Sequence, residues 1–240
     1  MSNTVATAPG RRLGDNVIAP RHGEAATTTC DIMKPNLNDC RLYGIVDLGY
    51  VEQSDIARLV EQMLEGGVDL IQLRGKNSRI EELTEVATTL HQVTSKCSTP
   101  LIVNDHAEIA TRVPLEGVHI GQDDDSVDVA RRKAGREIMV GKSTHSIEQA
   151  LAAEREGADY IGFGPIFPTP TKPDYPPIGL ENITRVYAEV SIPIFCIGGI
   201  TIDNLQIVIE AGAKRVVMVS ALLKARSIVD YARCVTDMLA

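Results

Sequence analysis

The chain has no surplus of positive charge. Its 240 residues carry 24 Lys and Arg against 32 Asp and Glu, a formal net charge of −8. A binder of phosphate backbones needs the opposite balance, so nucleic acid is excluded as a general partner. No apolar run approaches the ~20 residues of a membrane span. The five cysteines are odd in number and show no metal-ligand spacing, which predicts reduced thiols in a cytoplasmic setting. Nothing cationic lies near Cys196 in the sequence, so the run Ile194–Ile197 reads as buried chain and not as a thiolate nucleophile. Arg11 and Arg12 are followed by no apolar segment, which removes a twin-arginine export signal, and Asp15, Glu24 and Asp31 make the same stretch acidic for an organelle transit peptide.

What is present is a core. With 44% hydrophobic residues the chain can bury one large interior, and α/β barrels of this length run as single domains. Residues 1–39 are rich in Thr, Ala, Asn and Gly and lack a sustained period; they read as an N-terminal extension, disordered or loosely packed, ahead of a catalytic domain over 40–240. From Arg41 onward, short apolar runs alternate with amphipathic stretches. Strands are expected at 42–46, 70–73, 101–104, 117–120, 138–141, 160–163, 194–197 and 216–219. Helices are expected at 54–65, 80–94, 108–112, 127–134, 146–156, 180–189, 202–210 and 227–238, several behind a capping residue such as Ser54, Ser146 or Thr201. A recurring phrase, Glu65-Gly-Gly-Val, Glu116-Gly-Val, Glu156-Gly-Ala and Glu210-Ala-Gly-Ala, predicts left-handed glycines that end helices. Eight strand–helix units make a (β/α)8 TIM barrel. A doubly wound open sheet would need fewer strands and a Gly-rich turn after the first, which Asp47-Leu-Gly-Tyr does not supply.

In a barrel the chemistry belongs at the C-terminal ends of the strands. There the second strand offers Gln72, Arg74 and Lys76, which in an extended segment share one side and suit a pyrophosphate. Asp105 and Asp124, after the third and fourth strands, suit a hard cation such as Mg2+, which takes one or two carboxylates together with substrate phosphates and water. Asp105 also reads as a helix cap, and Asp123 and Asp125 as solvated loop charges. After the sixth strand, Pro165, Pro168, Pro170 and Pro173 stiffen a loop carrying Thr169, Thr171 and Lys172, two hydroxyls and an ammonium matched to a phosphate. Gly198-Gly199 and Val219-Ser220 fit the phosphate cup that follows the last two strands of many barrels, and also a plain structural turn. His119 and His145 read as structural.

Taken in order, Leu-Ile-Gln-Leu-Arg-Gly-Lys at 70–76, Ile-Val-Asn-Asp at 102–105, Gly-Val-His-Ile-Gly-Gln-Asp-Asp at 117–124, Gly-Lys-Ser-Thr-His at 141–145, Gly-Pro-Ile-Phe-Pro-Thr-Pro-Thr-Lys at 164–172, Gly-Gly-Ile at 198–200 and Val-Ser at 219–220 resemble the thiamine phosphate synthase family. The resemblance covers about residues 42–222. It implies a transferase of thiamine biosynthesis, in which Gln72, Leu73, Arg74, Gly75, Lys76, Asn104, Ser143 and Lys172 bind an aminopyrimidine diphosphate. Asp105 and Asp124 would hold Mg2+, while Thr169, Pro170, Thr171, Gly199, Val219 and Ser220 would line a thiazole phosphate site. Arg74, Lys76, Lys172 and Ser143 would act on the departing diphosphate in a dissociative substitution. Pro170 departs from the polar residue usual there. The partners implied are these small molecules; self-association stays open. Two other readings compete: a thiazole tautomerase, which would carry a histidine on the loop after the sixth strand where this chain has Gly164-Pro165-Ile166, and a noncatalytic binder of thiamine precursors, which would have lost Asp105, Asp124 or Lys172.

Overall fold

The computed structural model describes residues 1, 2, 4, 36–169 and 176–240. Two units divide the chain, Met1–Ile32 and Met33–Ala240. The expectation for residues 1–39 therefore falls mostly outside the described residues. Its last few residues are within them: Leu37 is buried and packs with Cys40, Tyr43 and Ile45, and the Arg215 side chain donates to the carbonyls of Leu37 and Asn38. The second unit thus begins before its first strand.

Eight parallel strands close into a barrel in sequence order. They are β1 (Leu42–Asp47), β2 (Leu70–Arg74), β3 (Leu101–Asn104), β4 (Gly117–Ile120), β5 (Met139–Thr144), β6 (Tyr160–Phe163), β7 (Ile194–Cys196) and β8 (Val216–Met218). The helices are α1 (Ile56–Glu65), α2 (Ile80–Thr94), α3 (Val127–Ala134), α4 (Ile147–Arg155), α5 (Glu181–Glu189), α6 (Ile202–Glu210), α7 (Ser220–Leu223) and α8 (Ile228–Leu239). Among the described residues no helix is long and apolar enough to cross a membrane. The helix expected at 108–112 is a 3-10 segment, Ala107–Thr111; five residues are too few to repeat a helical face. Gly67, Gly157 and Gly212 of the recurring phrase have φ of 90°, 84° and 105°, but Gly117 is absent from the positive-φ glycines because it opens β4 and follows no α-helix.

The strands are covered on both faces, which is why they read as continuous apolar runs and not as alternation. Leu42, Val46, Ile71, Leu73, Val103, Val140 and Ile161 pack outward with the helices. Tyr43, Ile45, Leu70, Ile102, Met139, Tyr160, Phe195 and Val217 fill the inside. There Tyr43, Tyr160 and Phe195 meet edge to face with ring centroids 5.4–6.0 Å apart. Tyr160 fits because its neighbour is Gly141: a Cβ there would come within 2.1 Å of the Tyr160 ring. Deep burial keeps Cys196 a thiol, pushing its pKa up to about 12, as expected of a core residue.

The N-terminal edge of the barrel is tied by carboxylates. Asp69 accepts from the N–H groups of Arg41 and Leu42, Glu116 from Leu101, and Asp159 from Val140 and from the Arg131 guanidinium. Each sits just before a strand and closes the start of the preceding one. Polar groups that would be orphaned at strand starts are thereby satisfied.

Candidate active site

A cavity of about 300 Å³ opens at the C-terminal ends of the strands. Its floor and one wall carry Gln72, Arg74, Asn104, His119 and Ser143; the other wall carries Thr169, Gly199, Val219 and Ser220. The second wall is built from two loops in contact. Ile166 and Phe167 donate backbone N–H bonds to the carbonyls of Ile197 and Gly198, at 2.8 and 3.0 Å. Gly199, at φ 66°, is needed there, since a Cβ would lie 2.7 Å from Phe167 Cβ and from the Pro168 carbonyl. Its own carbonyl accepts from Asn204, whose side chain forms a reciprocal cap with Thr201 at the start of α6.

Opposite, Arg74 is paired with Asp47, the last residue of β1, and both are largely withdrawn from water. Asp47 also accepts from Gly49 N–H at 2.9 Å. The pair holds the guanidinium at the end of β2 before any ligand arrives. Below it, five buried or half-buried polar groups form a chain: Gln72 Nε2 donates to the Tyr43 hydroxyl (2.5 Å), the Tyr43 and Tyr160 hydroxyls share a bond of 3.0 Å, Tyr160 meets His119 Nδ1 at 3.2 Å, and His119 Nε2 meets Ser143 Oγ at 2.9 Å. Burial pushes both phenol pKa values up, so they stay neutral. At the rim, Asp105 stands in the left-handed region at φ 67°. Burial, and then the facing Asp124 carboxylate, push its pKa up to about 6. Asp124 also accepts from Gly121 N–H at 2.6 Å.

Two carboxylates turned toward each other repel unless they share a proton or a cation. Among the described residues no cluster of three or more His, Cys, Asp or Glu side chains exists that could enclose a metal. A cation at this rim would take Asp105 and Asp124 and fill its remaining positions with water or ligand oxygens, the habit of Mg2+ rather than of a structural zinc.

The family model described as thiamine monophosphate synthase matches residues 42–222, from β1 through α7. The chain belongs to the thiamine monophosphate synthase family. It is 42% identical over 193 residues to a thiamine-phosphate synthase of Halalkalibacterium halodurans, covering 80% of this chain and 92% of that protein. A thiamine-phosphate synthase of Clostridium acetobutylicum is 39% identical over 201 residues, covering 84% and 95%. Among solved structures, thiamine phosphate pyrophosphorylase from Pyrococcus furiosus superposes with a TM-score of 0.77 at 34% identity, covering 85% of this chain and 98% of that one.

Within this thiamine monophosphate synthase fold, Gln72, Arg74, Asn104, Ser143, Thr169, Gly199, Val219 and Ser220 come together around one cavity. Asp105 and Asp124 lie beside it at the rim. Pro170, Thr171 and Lys172 lie outside the described residues. Lys76 departs from the expected shared side: β2 ends at Arg74, a turn begins at Gly75, where Ser78 N–H bonds the Gly75 carbonyl, and Lys76 is exposed and lines no part of the cavity. The side chain of Leu73 is buried in the helix-facing core, so only its backbone can reach a ligand. Asp47, Tyr43 and Tyr160 were not singled out from the sequence, and His119 reads there as structural. Their signal was parity: Tyr43, Ile45 and Asp47 alternate along one strand, as do Gln72 and Arg74 along the next, and those positions face inward.

Proposed function

We propose that this barrel is a thiamine-phosphate synthase. It couples 4-amino-2-methyl-5-hydroxymethylpyrimidine diphosphate with hydroxyethylthiazole phosphate, or its carboxylated form, to give thiamine phosphate and diphosphate. The observation that carries the reading is a single cavity with a cationic and amide wall from β2, β3 and β5 facing a hydroxyl and backbone wall from the loops after β6, β7 and β8. Two anionic substrates can be held there with their reacting ends toward each other.

The thiazole nitrogen forms a bond to the pyrimidine methylene carbon as the carbon–oxygen bond to diphosphate breaks. In a dissociative step the pyrimidine amino group feeds electrons to that carbon, so no protein nucleophile is required. What the protein must supply is stabilisation of the negative charge gathering on the leaving diphosphate. Arg74, held by Asp47, and Ser143, at the end of its hydrogen-bonded chain, are the described groups suited to it; Lys172, outside the described residues, and the exposed Lys76 are the further cations assigned to it. Asn104 orients the pyrimidine ring. Thr169, with Thr171 and the backbone at Gly199, Val219 and Ser220, holds the phosphate of the second substrate, supported by the close seating of Phe167 and Pro168 on Gly199. Pro170 contributes backbone only. Mg2+ held by Asp105 and Asp124 would supply charge neutralisation at the diphosphate oxygens. The mutual repulsion of these two carboxylates supports that assignment.

A thiazole tautomerase would use a histidine on the loop after β6. The sequence from Gly164 to Tyr175 contains none. The neighbouring His145 has its Nδ1 on the Gly164 carbonyl at 2.5 Å, a structural tie. Incubating the purified protein with both precursors and Mg2+, and measuring thiamine phosphate and released diphosphate, tests the proposal. Formation of neither product would overturn it.

A further inference from the structure

We infer that the buried chain Gln72–Tyr43–Tyr160–His119–Ser143 is polarised in one direction, with His119 as a positioning residue that turns the Ser143 hydroxyl into a hydrogen-bond donor toward the cavity. The inference rests on the assignment of Ser143 to the pyrimidine diphosphate. It begins from hydrogen counting. A tyrosine hydroxyl has one hydrogen to give, and a neutral imidazole has one donor and one acceptor nitrogen. The Gln72 amide nitrogen can only donate, so Tyr43 accepts from it at 2.5 Å. Were Tyr43 to accept from Tyr160 as well, its own buried hydrogen would have no partner in the chain, so it is assigned as the donor to Tyr160, 3.0 Å away. Tyr160 in turn gives its hydrogen to His119 Nδ1 at 3.2 Å. An imidazole that accepts at Nδ1 carries its proton on Nε2. That proton goes to Ser143 Oγ at 2.9 Å. Ser143 has accepted, and its own hydrogen is left for the cavity that it lines.

The reverse sense would have the opposite effect. Ser143 would give its hydrogen to His119 and present only lone pairs to an anionic substrate, which is repulsive. The inner members are largely buried: Tyr160 is 0%, Tyr43 1%, Gln72 1% and His119 8% exposed, and Ser143 at the end is half-buried. In such surroundings each bond polarises the next. The five residues come from β2, β1, β6, β4 and β5, so the chain crosses the barrel interior and ties the setting of Ser143 on β5 to β1 and β2.

The test is a double-mutant cycle with a spectroscopic control. Tyr160→Phe keeps the ring over Gly141 but leaves His119 Nδ1 without its donor. It is expected to lower kcat/KM for the pyrimidine diphosphate by about 3–10-fold, the scale of one hydrogen bond, and to leave KM for the thiazole phosphate unchanged. Ser143→Ala should lower the same kcat/KM at least as far. In the Ser143→Ala background, Tyr160→Phe should add nothing, since the hydroxyl it acts through is gone. His119→Gln, whose amide offers one acceptor and one donor, should keep more activity than His119→Leu. Nitrogen-15 NMR of the unsubstituted protein at mildly alkaline pH should find His119 protonated on Nε2. Protonation on Nδ1 would reverse the chain and overturn the inference, whether or not the variants fold. A lowered kcat/KM in Ser143→Ala combined with the same further penalty for Tyr160→Phe in both backgrounds would overturn the chain alone. A kinetically silent Ser143→Ala would overturn the substrate assignment of Ser143 and the donor role with it.

Discussion

Asp69, Glu116 and Asp159 at the N-terminal end of the barrel each accept from backbone N–H groups of a neighbouring strand, whereas Asp105 and Asp124 at the C-terminal end face each other. The first set is satisfied by the fold and serves it. The second pair face each other, with Asp124 also held by the Gly121 N–H, and their repulsion is relieved only when they share a proton or a cation. Asp47 stands between the two cases: it is at the functional end, yet it has a partner in Arg74. On the proposed function, charge at the two ends of one barrel is separable into groups that hold the chain and groups that serve the ligand.

The sharpest way to break this comparison is to remove a carboxylate from each end. Asp105→Asn is expected to lower turnover by about a hundredfold or more, the several kcal/mol that a metal supplies, while leaving the melting temperature in metal-free buffer unchanged or slightly raised by the lost repulsion. Steady-state kinetics and a thermal melt check both parts; full activity in excess EDTA with both Asp105 and Asp124 replaced would sink the metal assignment. Asp159→Ala should do the reverse. It strips an acceptor from Val140 N–H and Arg131, costing about 1.5–3 kcal/mol of stability, which for a chain of this size is a fall of a few to about ten degrees. The kcat of the folded fraction should not change. If Asp159→Ala lowered kcat with no effect on the melt, the division between the two ends would fail.

Smaller effects sharpen the functional end itself. Lys172→Ala should mainly lower kcat, because the leaving group gains its charge only in the transition state, whereas Thr169→Ala with Thr171→Ala should mainly raise KM for the thiazole phosphate, whose charge does not change during reaction. Each lost charged hydrogen bond is expected to cost on the order of 1–3 kcal/mol. A threonine variant that weakened only the pyrimidine substrate would show that the two phosphates are divided differently. The least effect is expected from truncation. Removing residues 1–32 should leave melt and activity as they were, while removing 1–40 also takes Leu37 and Cys40 from beneath Tyr43 and Ile45. That longer cut should lower the melting temperature, and equal melts for both truncations would show that Leu37 adds nothing.

Much of the barrel was legible because its strands are apolar on both faces and its helices are not. The period changes at every crossing, and runs such as 70–73 and 160–163 stand out without any alignment. The lining of the candidate site was legible where a residue sits at or near the end of such a run, as Gln72, Asn104, Ser143 and Val219 do. Lys76 was misplaced because its side was extrapolated from an extended geometry that stops at Arg74. The hydrogen-bonded chain was hidden for a different reason. Tyr43 and Tyr160 lie 117 positions apart, and they meet only across the closed interior. Sequence spacing carries no information about such contacts; the closure of the sheet does.

The left-handed backbone at Asp105 narrows what can replace it. Asparagine and glycine adopt φ near 67° readily, and other side chains are strained there. The replacements that the chain tolerates best are therefore ones that discard the charge. With Asp105 as the proposed cation ligand, a lineage drifting at this position would lose its chemistry without losing its fold. On that proposal, copies of this architecture that bind without turning over are one substitution away, and an asparagine at position 105 is the change to look for.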